Sequence, residues 1–333
     1  MAKLATAVGQ AIADDGVRAA FGVVGNGNFL AVAGLMASGV RYVAARHEGG
    51  AIAMADAYYR ATGDVAVCTT TYGPGLTNTA TGLAEAVKHR SAVLLLTGDQ
   101  PTVGPRQIDI DQGAFASALG ARTVRVTDPA NARGAVACAL ELARGGPRPV
   151  VLSLPADLLV ATVPDVVAAS PIPDQVAVLT RAARRLASPV VVPAQVDAAQ
   201  VDAALDALAS ARRPLLLAGL GAYRSGAAGP IAALADRLGA LLTTTVMADG
   251  LYRESPWSLG ICGGFASPRA AAIIGGADVV VAFGASLTDF TLHGGMLLDP
   301  GATLVQVDTG AAPTASRVDL CVTGDAAQVA SAL

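Results

Sequence analysis

The run Arg46-His47-Glu48-Gly49-Gly50 puts a carboxylate where it could move a proton. A short aliphatic strand, Tyr42–Ala44, precedes it, and an Ala-rich helical stretch, Gly50–Thr62, follows. Glu48 is therefore expected at the C-terminal end of a strand, where open parallel sheets place their ligands. The two glycines after it remove side chains that would shield it. On these residues alone the plainer role comes first, an acidic group favouring a helix N-terminus. His47 and His89 are the other acid–base candidates. They read as a structural neighbour of Glu48 and as a helix C-terminal residue favoured by the dipole, and His293 receives no role.

A second constellation is made of backbone. The strand Val65–Thr69 runs into Thr70-Thr71-Tyr72-Gly73-Pro74-Gly75-Leu76-Thr77-Asn78, followed at once by a helix expected over Asn78–Lys88. Gly-Pro-Gly fixes a tight backbone with no side chains in the way, and a helix N-terminus offers free N–H groups. That arrangement suits a ligand lying flat on the backbone, or simply a rigid turn. Two further loops carry paired glycines. Leu30 stands where a third glycine would complete G-x-G-x-x-G after Gly25 and Gly27, and Arg224 stands there after Gly219 and Gly221. An NAD-binding Rossmann enzyme is thus the weaker alternative, and βα turns account for these glycines otherwise.

These residues need a scaffold, and the chain offers alternating aliphatic runs and Ala-rich helical stretches. Strands are expected at Ala20–Val24, Tyr42–Ala44, Val65–Thr69, Ala92–Thr97 and Val150–Pro155, with helices at Ala2–Asp14, Gly50–Thr62, Asn78–Lys88 and Asn131–Ala143. Continuous rather than alternating hydrophobicity means strands buried on both faces, hence parallel sheets covered by helices. A second such series follows Val201, with strands at Leu215–Ala218, Leu241–Thr245, Val279–Phe283 and Thr303–Asp308. Prolines 164, 171, 173, 189 and 193 mark the stretch between. The expected fold class is α/β: two doubly wound, mainly parallel-sheet domains, 1–160 and 197–333, joined by a Pro-rich linker, 161–196, with room for a short helix at Leu179–Leu186.

Composition narrows the function classes. Of 333 residues, 53% are hydrophobic and 15% charged, which excludes a disordered chain. The formal net charge is −3 and no block of like charge occurs, so no nucleic-acid partner is expected. Mean hydropathy is +0.51, yet no apolar run reaches the ~18 residues of a spanning helix, and no signal peptide opens the chain. Cys68, Cys138, Cys262 and Cys321 form no CxxC pair, so they read as buried apolar residues rather than metal ligands. A cytoplasmic protein without membrane contact is expected. The scarcity of charge fits either surface covered by other subunits or simple Ala-rich composition.

Taken in order, FGVVGNGNFLAV, RHEGGAIAMADAYYRATG, VAVCTTTYGPGLTNTATGLAEAV and AVLLLTGDQP resemble the N-terminal, pyrimidine-binding domain of thiamine diphosphate-dependent enzymes of the acetolactate synthase and 2-oxo acid decarboxylase superfamily. DQGAFASALGARTVRVTDP and RPVVLSLPADLL continue the match, and ALDALASARRPLLLAGLGAY, GADVVVAFGASLTD and TLVQVD resemble the central domain. The resemblance implies that Glu48 is catalytic, sharing a proton with the N1′ nitrogen of the cofactor's aminopyrimidine so that the thiazolium C2 proton can be removed. It also implies that Gly25, Thr71, Gly73, Pro74 and Asn78 pack along the thiamine and that Gln112 lines the substrate pocket. A 2-oxo acid substrate, thiamine diphosphate as cofactor and at least a homodimer follow from it; the acceptor is left open, and FAD, bound by some relatives, is undecided. Tyr72 departs from the pattern, where a small hydroxyl residue is frequent, and so narrows the expected pocket. Val24 and Ala92 stand where proline is usual.

The family's Gly-Asp-Gly motif for Mg²⁺ and diphosphate has no counterpart here. The nearest strings, Thr97-Gly98-Asp99-Gln100, Ala248-Asp249-Gly250-Leu251 and Thr323-Gly324-Asp325-Ala326, fall within the two expected domains. The metal site is therefore expected outside this chain, either in a longer version of the protein or on a separate partner chain. A non-catalytic binding or scaffold protein derived from the family is the alternative.

Overall fold

The aliphatic runs pair into two six-stranded sheets in the computed structural model, which describes residues 2–163, 196–310, 312–315 and 317–333. The chain divides into two compact units, Met1–Pro189 and Val190–Leu333. Every pairing within the six-stranded sheets is parallel.

In the first unit the strands are β2 (Ala19–Gly22), β3 (Arg41–Ala44), β4 (Ala66–Thr70), β5 (Val93–Asp99), β6 (Arg122–Arg125) and β7 (Val150–Pro155). Their spatial order is β3-β2-β4-β5-β7-β6. Successive side chains on β5 point to opposite faces. Leu94 and Leu96 join the core under α1 (Leu4–Asp14), α2 (Phe29–Ala37) and α7 (Ala132–Gly145). Val93 and Leu95 join the core under α3 (Glu48–Thr62), α5 (Ala80–Lys88) and α6 (Gln112–Ala118). This explains why the strand reads as an unbroken aliphatic run. β6 escaped the sequence reading because Arg-Thr-Val-Arg, on an edge, buries only Val124 fully.

Two further differences concern the ends of the unit. Ala2–Lys3, expected to open the first helix, forms a short strand, β1, that pairs antiparallel with β8 (Thr162–Val163). Thr162–Val163 had been read as part of the linker. Residues 164–195 of that linker, with the helix expected at Leu179–Leu186, lie outside the described residues.

The second unit holds α8 (Ala198–Ala209), β9 (Pro214–Ala218), α9 (Leu220–Arg224), α10 (Ala228–Leu238), β10 (Leu241–Thr244), β11 (Ser258–Ile261), α11 (Pro268–Gly275), β12 (Val279–Phe283), β13 (Thr303–Asp308), β14 (Leu320–Thr323) and α12 (Ala326–Ala332). Its strand order is β11-β10-β9-β12-β13-β14. β11 and β14 are edge strands with partly exposed faces, and neither shows the aliphatic run that marks the central ones. No described helix is long and apolar enough to cross a membrane.

Helix α2 sets the depth of the loop that precedes it, and glycines set the depth of α2. A Cβ on Gly9 of α1 would lie 2.3 Å from the Gly34 carbonyl carbon, and one on Gly34 would lie 2.5 Å from the Ala5 oxygen. The two helices therefore touch backbone to backbone. Gly34→Ala should destabilise the protein by about 1–3 kcal/mol through overpacking, read as a lower urea midpoint. A midpoint equal to the parent's would show that the helices part freely.

Candidate functional site

The strand order reverses between β2 and β4: the loop after β2 leads to α2 on one face of the sheet, and the loop after β4 leads to α5 on the other. An open parallel sheet places a crevice there, at the carboxyl ends of its strands. The Gly25 loop leaves β2 there, and the Gly73 turn leaves β4. Both reach their contact distance because they carry glycine. A Cβ on Gly25 would stand 2.9 Å from the Thr71 Cβ, and one on Gly27 would stand 2.5 Å from the Tyr72 ring. The Gly27 amide donates to Thr71 Oγ1 (2.9 Å). Asn28, 1% exposed, staples the same loop: its Oδ1 accepts from the Gly25 amide (2.7 Å), and its Nδ2 donates to the Val23 carbonyl and to Thr69 Oγ1. The sequence reading missed Asn28, although an asparagine closing a Gly-x-Gly turn just before a helix is the signal that would have found it.

Glu48 enters from the other side of the crevice, as the first residue of α3. The helix begins two residues earlier than the glycine pair suggested, because His47 serves as its N-cap. His47 Nδ1 accepts from the Gly49 amide (3.0 Å), and the His47 carbonyl accepts from Gly50 and Ala51. With those amides satisfied, the helix end makes no demand on the carboxylate. Glu48 instead turns to the Gly73–Asn78 segment, where its Oε2 accepts from Asn78 Nδ2 at 2.9 Å. Oε1 has no hydrogen-bond partner among the described residues. It faces Gly75, where a Cβ would lie 3.4 Å from it and 2.7 Å from the Thr71 methyl. Glu48 is 9% exposed, and beneath it the buried Cys68 thiol is pushed well up, by burial first and by the Glu48 charge second.

The Gly73 turn is held from behind. Gly73 has φ +59° and would set a Cβ 2.5 Å from the Ile108 oxygen, so only glycine fits. Its amide donates to Gln112 Oε1 (3.2 Å), while Gln112 Nε2 donates to the Gly98 carbonyl (2.9 Å) and to Asp99 Oδ1 (3.1 Å). Asp99 in turn accepts from Arg125 Nε (2.7 Å). Both amide donors of Gln112 are thus engaged within the chain. Tyr72, expected to narrow the pocket, packs its ring on Gly27 with the Arg106 guanidinium 4.0 Å from its centroid. Arg106 also grips Asp109 and holds its carboxyl below the usual range.

The helix expected over Asn78–Lys88 begins two residues later, at Ala80, and ends as expected at Lys88. Pro74–Thr77 forms one short turn, α4, and α5 starts at Ala80, leaving Asn78 in the gap with its side chain free to reach Glu48. Pro74 is exposed at the first position of that turn. The structure thus brings together Gly25, Glu48, Thr71, Gly73, Pro74, Asn78 and Gln112 around one crevice. His89 is elsewhere: it caps the C-terminus of α5 beside Arg60, just before β5 and so toward the amino ends of the strands.

The corresponding switch point of the second unit lies between β9 and β12. There the Gly219 amide donates to the Phe283 carbonyl (2.9 Å) and the Gly221 amide to the Gly284 carbonyl (2.8 Å). These glycines serve loop-to-loop contact. Among the described residues, no group of three or more His, Cys, Asp or Glu side chains is placed to hold a metal ion. Gln112→Leu should cost about 1–3 kcal/mol by orphaning buried polar groups, measured by chemical denaturation. Parental stability in that variant would remove Gln112 from its bridging role.

Sequence comparison agrees with the geometry. The family description "Thiamine pyrophosphate enzyme, N-terminal TPP binding domain" matches residues 2–114, and "Thiamine pyrophosphate enzyme, central domain" matches residues 201–333. A probable acetolactate synthase large subunit of Methanocaldococcus jannaschii is 29% identical across 98% of this chain and 55% of its own length. An acetolactate synthase of Arthrospira platensis is 31% identical across 87% of this chain and 50% of its own. A probable 2-ketoarginine decarboxylase of Pseudomonas aeruginosa is 32% identical across 84% of this chain and 48% of its own. The chain spans about half the length of these relatives. Matched in both domains, the chain belongs to the thiamine pyrophosphate enzyme family.

Proposed function

We propose that this chain supplies the pyrimidine-binding half of a thiamine diphosphate-dependent active site acting on a 2-oxo acid, by acetolactate synthase-like carboligation or by decarboxylation. The observation that carries this reading is the Glu48 carboxylate. It is buried, tied at one oxygen, and open at the other toward a glycine-lined wall. A flat heterocycle with a basic ring nitrogen suits such a wall, since a Cβ on Gly75 would fill the space beside the oxygen. When bound, thiamine diphosphate supplies the electron sink for the pair left by departing carbon dioxide.

The chain's own residues do the rest of the work assigned to this half. Glu48 Oε1 holds the shared proton at the ring nitrogen. Thr71 and Asn28 fix the Gly25 loop, and Gln112 fixes the Gly73 turn, so that the wall keeps its shape. Residues 1–160 form the pyrimidine-binding domain and 197–333 the central domain, joined by the proline-rich segment. Groups beyond the described residues hold Mg²⁺ and the diphosphate, and a second copy of the chain completes the site. The length of the relatives, about twice this chain, supports that division.

In the assembled enzyme, Glu48→Gln should lower thiamine diphosphate-dependent consumption of a 2-oxo acid by about 100-fold or more, with the melting temperature little changed. Unaltered turnover in that variant would overturn the role of Glu48.

A further inference from the structure

The two oxygens of Glu48 are not equivalent, and the difference is made by one residue. Asn78 occupies the gap between α4 and α5, and its Nδ2 donates to Oε2 at 2.9 Å. A carboxylate only accepts, so the amide must present its NH₂ to it. The competing donors are spent: the Gly49, Gly50 and Ala51 amides all bond to His47. Oε1 is left facing Gly75 without a partner among the described residues.

We propose that Asn78 is a positioning residue for Glu48 rather than a contact to the cofactor itself. By holding Oε2 it fixes the carboxylate plane and leaves Oε1 as the single atom that shares a proton with the aminopyrimidine. A glutamate side chain rotates about three bonds, and a charge-assisted hydrogen bond at its tip removes most of that freedom before a ligand arrives. Asn78 keeps helical backbone angles at the end of α4, with its amide bonded to the Pro74 carbonyl, and from that fixed position its side chain reaches across to α3. The proposal rests on Glu48 being the cofactor's pyrimidine ligand, and its test separates the two.

The chain contains four asparagines, Asn26, Asn28, Asn78 and Asn131, and four glutamates, Glu48, Glu85, Glu141 and Glu254, so selective labelling leaves few signals to assign. With ¹⁵N in the asparagine side chains of the full chain, an Asn78 amide proton should exchange with water about tenfold or more slowly than that of free asparagine. The protection should survive in Glu48→Gln, whose side-chain oxygen still accepts, and vanish in Glu48→Ala. Equal exchange in the parent and Glu48→Ala overturns the proposal. With ¹³C in the glutamate carboxyls, thiamine at millimolar concentration should move the Glu48 signal. Its affinity should fall about tenfold in Asn78→Ala and at least as far in Glu48→Gln. Affinity lost in Asn78→Ala but kept in Glu48→Gln overturns the proposal, because Asn78 would then bind the ligand directly. Thiamine that moves no glutamate signal overturns instead the assignment of Glu48 to the cofactor, and the exchange measurement still decides the Asn78 bond.

Discussion

His47 accepts three amides at the start of α3, one on its ring and two on its backbone carbonyl, and the direction of the Glu48 side chain depends on those acceptors. The first N–H groups of a helix have no intrahelical partners, and a carboxylate in the first turn is a natural acceptor for them. A residue without a side-chain acceptor at position 47 would release the Gly49 amide to compete for the Glu48 carboxylate, while the backbone carbonyl would still hold Gly50 and Ala51. Instead it extends toward the Gly73–Asn78 segment and meets Asn78. Burying a carboxylate is costly without hydrogen bonds. The Asn78 bond and the positive end of α3 offset that cost, and neither occupies Oε1.

The two units show how little the architecture alone decides. Both sheets reverse direction at an internal strand, β2 in the first and β9 in the second, and both carry paired glycines just beyond it. In the second unit the backbones close on each other, with the Gly219 and Gly221 amides spent on the Phe283 and Gly284 carbonyls. In the first, Gly25 and Gly27 meet the Thr71 and Tyr72 side chains, Gly27 also meets the Gly98 backbone, and the neighbouring wall carries a carboxylate. The same topology thus sets a carboxylate beside its glycine loops in one unit and a seam of backbone contacts in the other. Function follows from what stands at the switch point rather than from the fold.

Sequence patterning revealed what local forces dictate. The aliphatic runs of β5, β7, β12 and β13 are buried on both faces and could be nothing but central parallel strands. Glu48 was legible because strand, carboxylate and glycines follow one another within a few residues. Edge strands were harder: β6, β11 and β14 carry charged or small residues on their open faces. The start of α5 was placed two residues early because Asn78 and Thr79 keep helical backbone angles, so no sharp signal separates the end of α4 from the start of α5. Most opaque were the ties between distant residues, such as Gln112 to Gly73 across 39 positions and Arg125 to Asp99 across 26. A hydrogen bond between two loops has no period, so no windowed pattern reveals it.

The place of the Tyr72 ring is likewise set by residues distant in sequence. Its ring needs somewhere to go, and Gly27 has no side chain to oppose it. Arg106 then covers the ring from the other side, worth about 0.5–1 kcal/mol at an exposed site. Left alone, that guanidinium would add a positive charge beside the crevice. Asp109 pairs with it through both Nε and Nη2, which cancels the charge locally. The larger residue is therefore accommodated by packing along the Gly25 loop and by a charge pair of its own. Glu48 Oε1 is left without a hydrogen-bond partner among the described residues, as is the buried Tyr42 hydroxyl beside Gly22 at the end of β2.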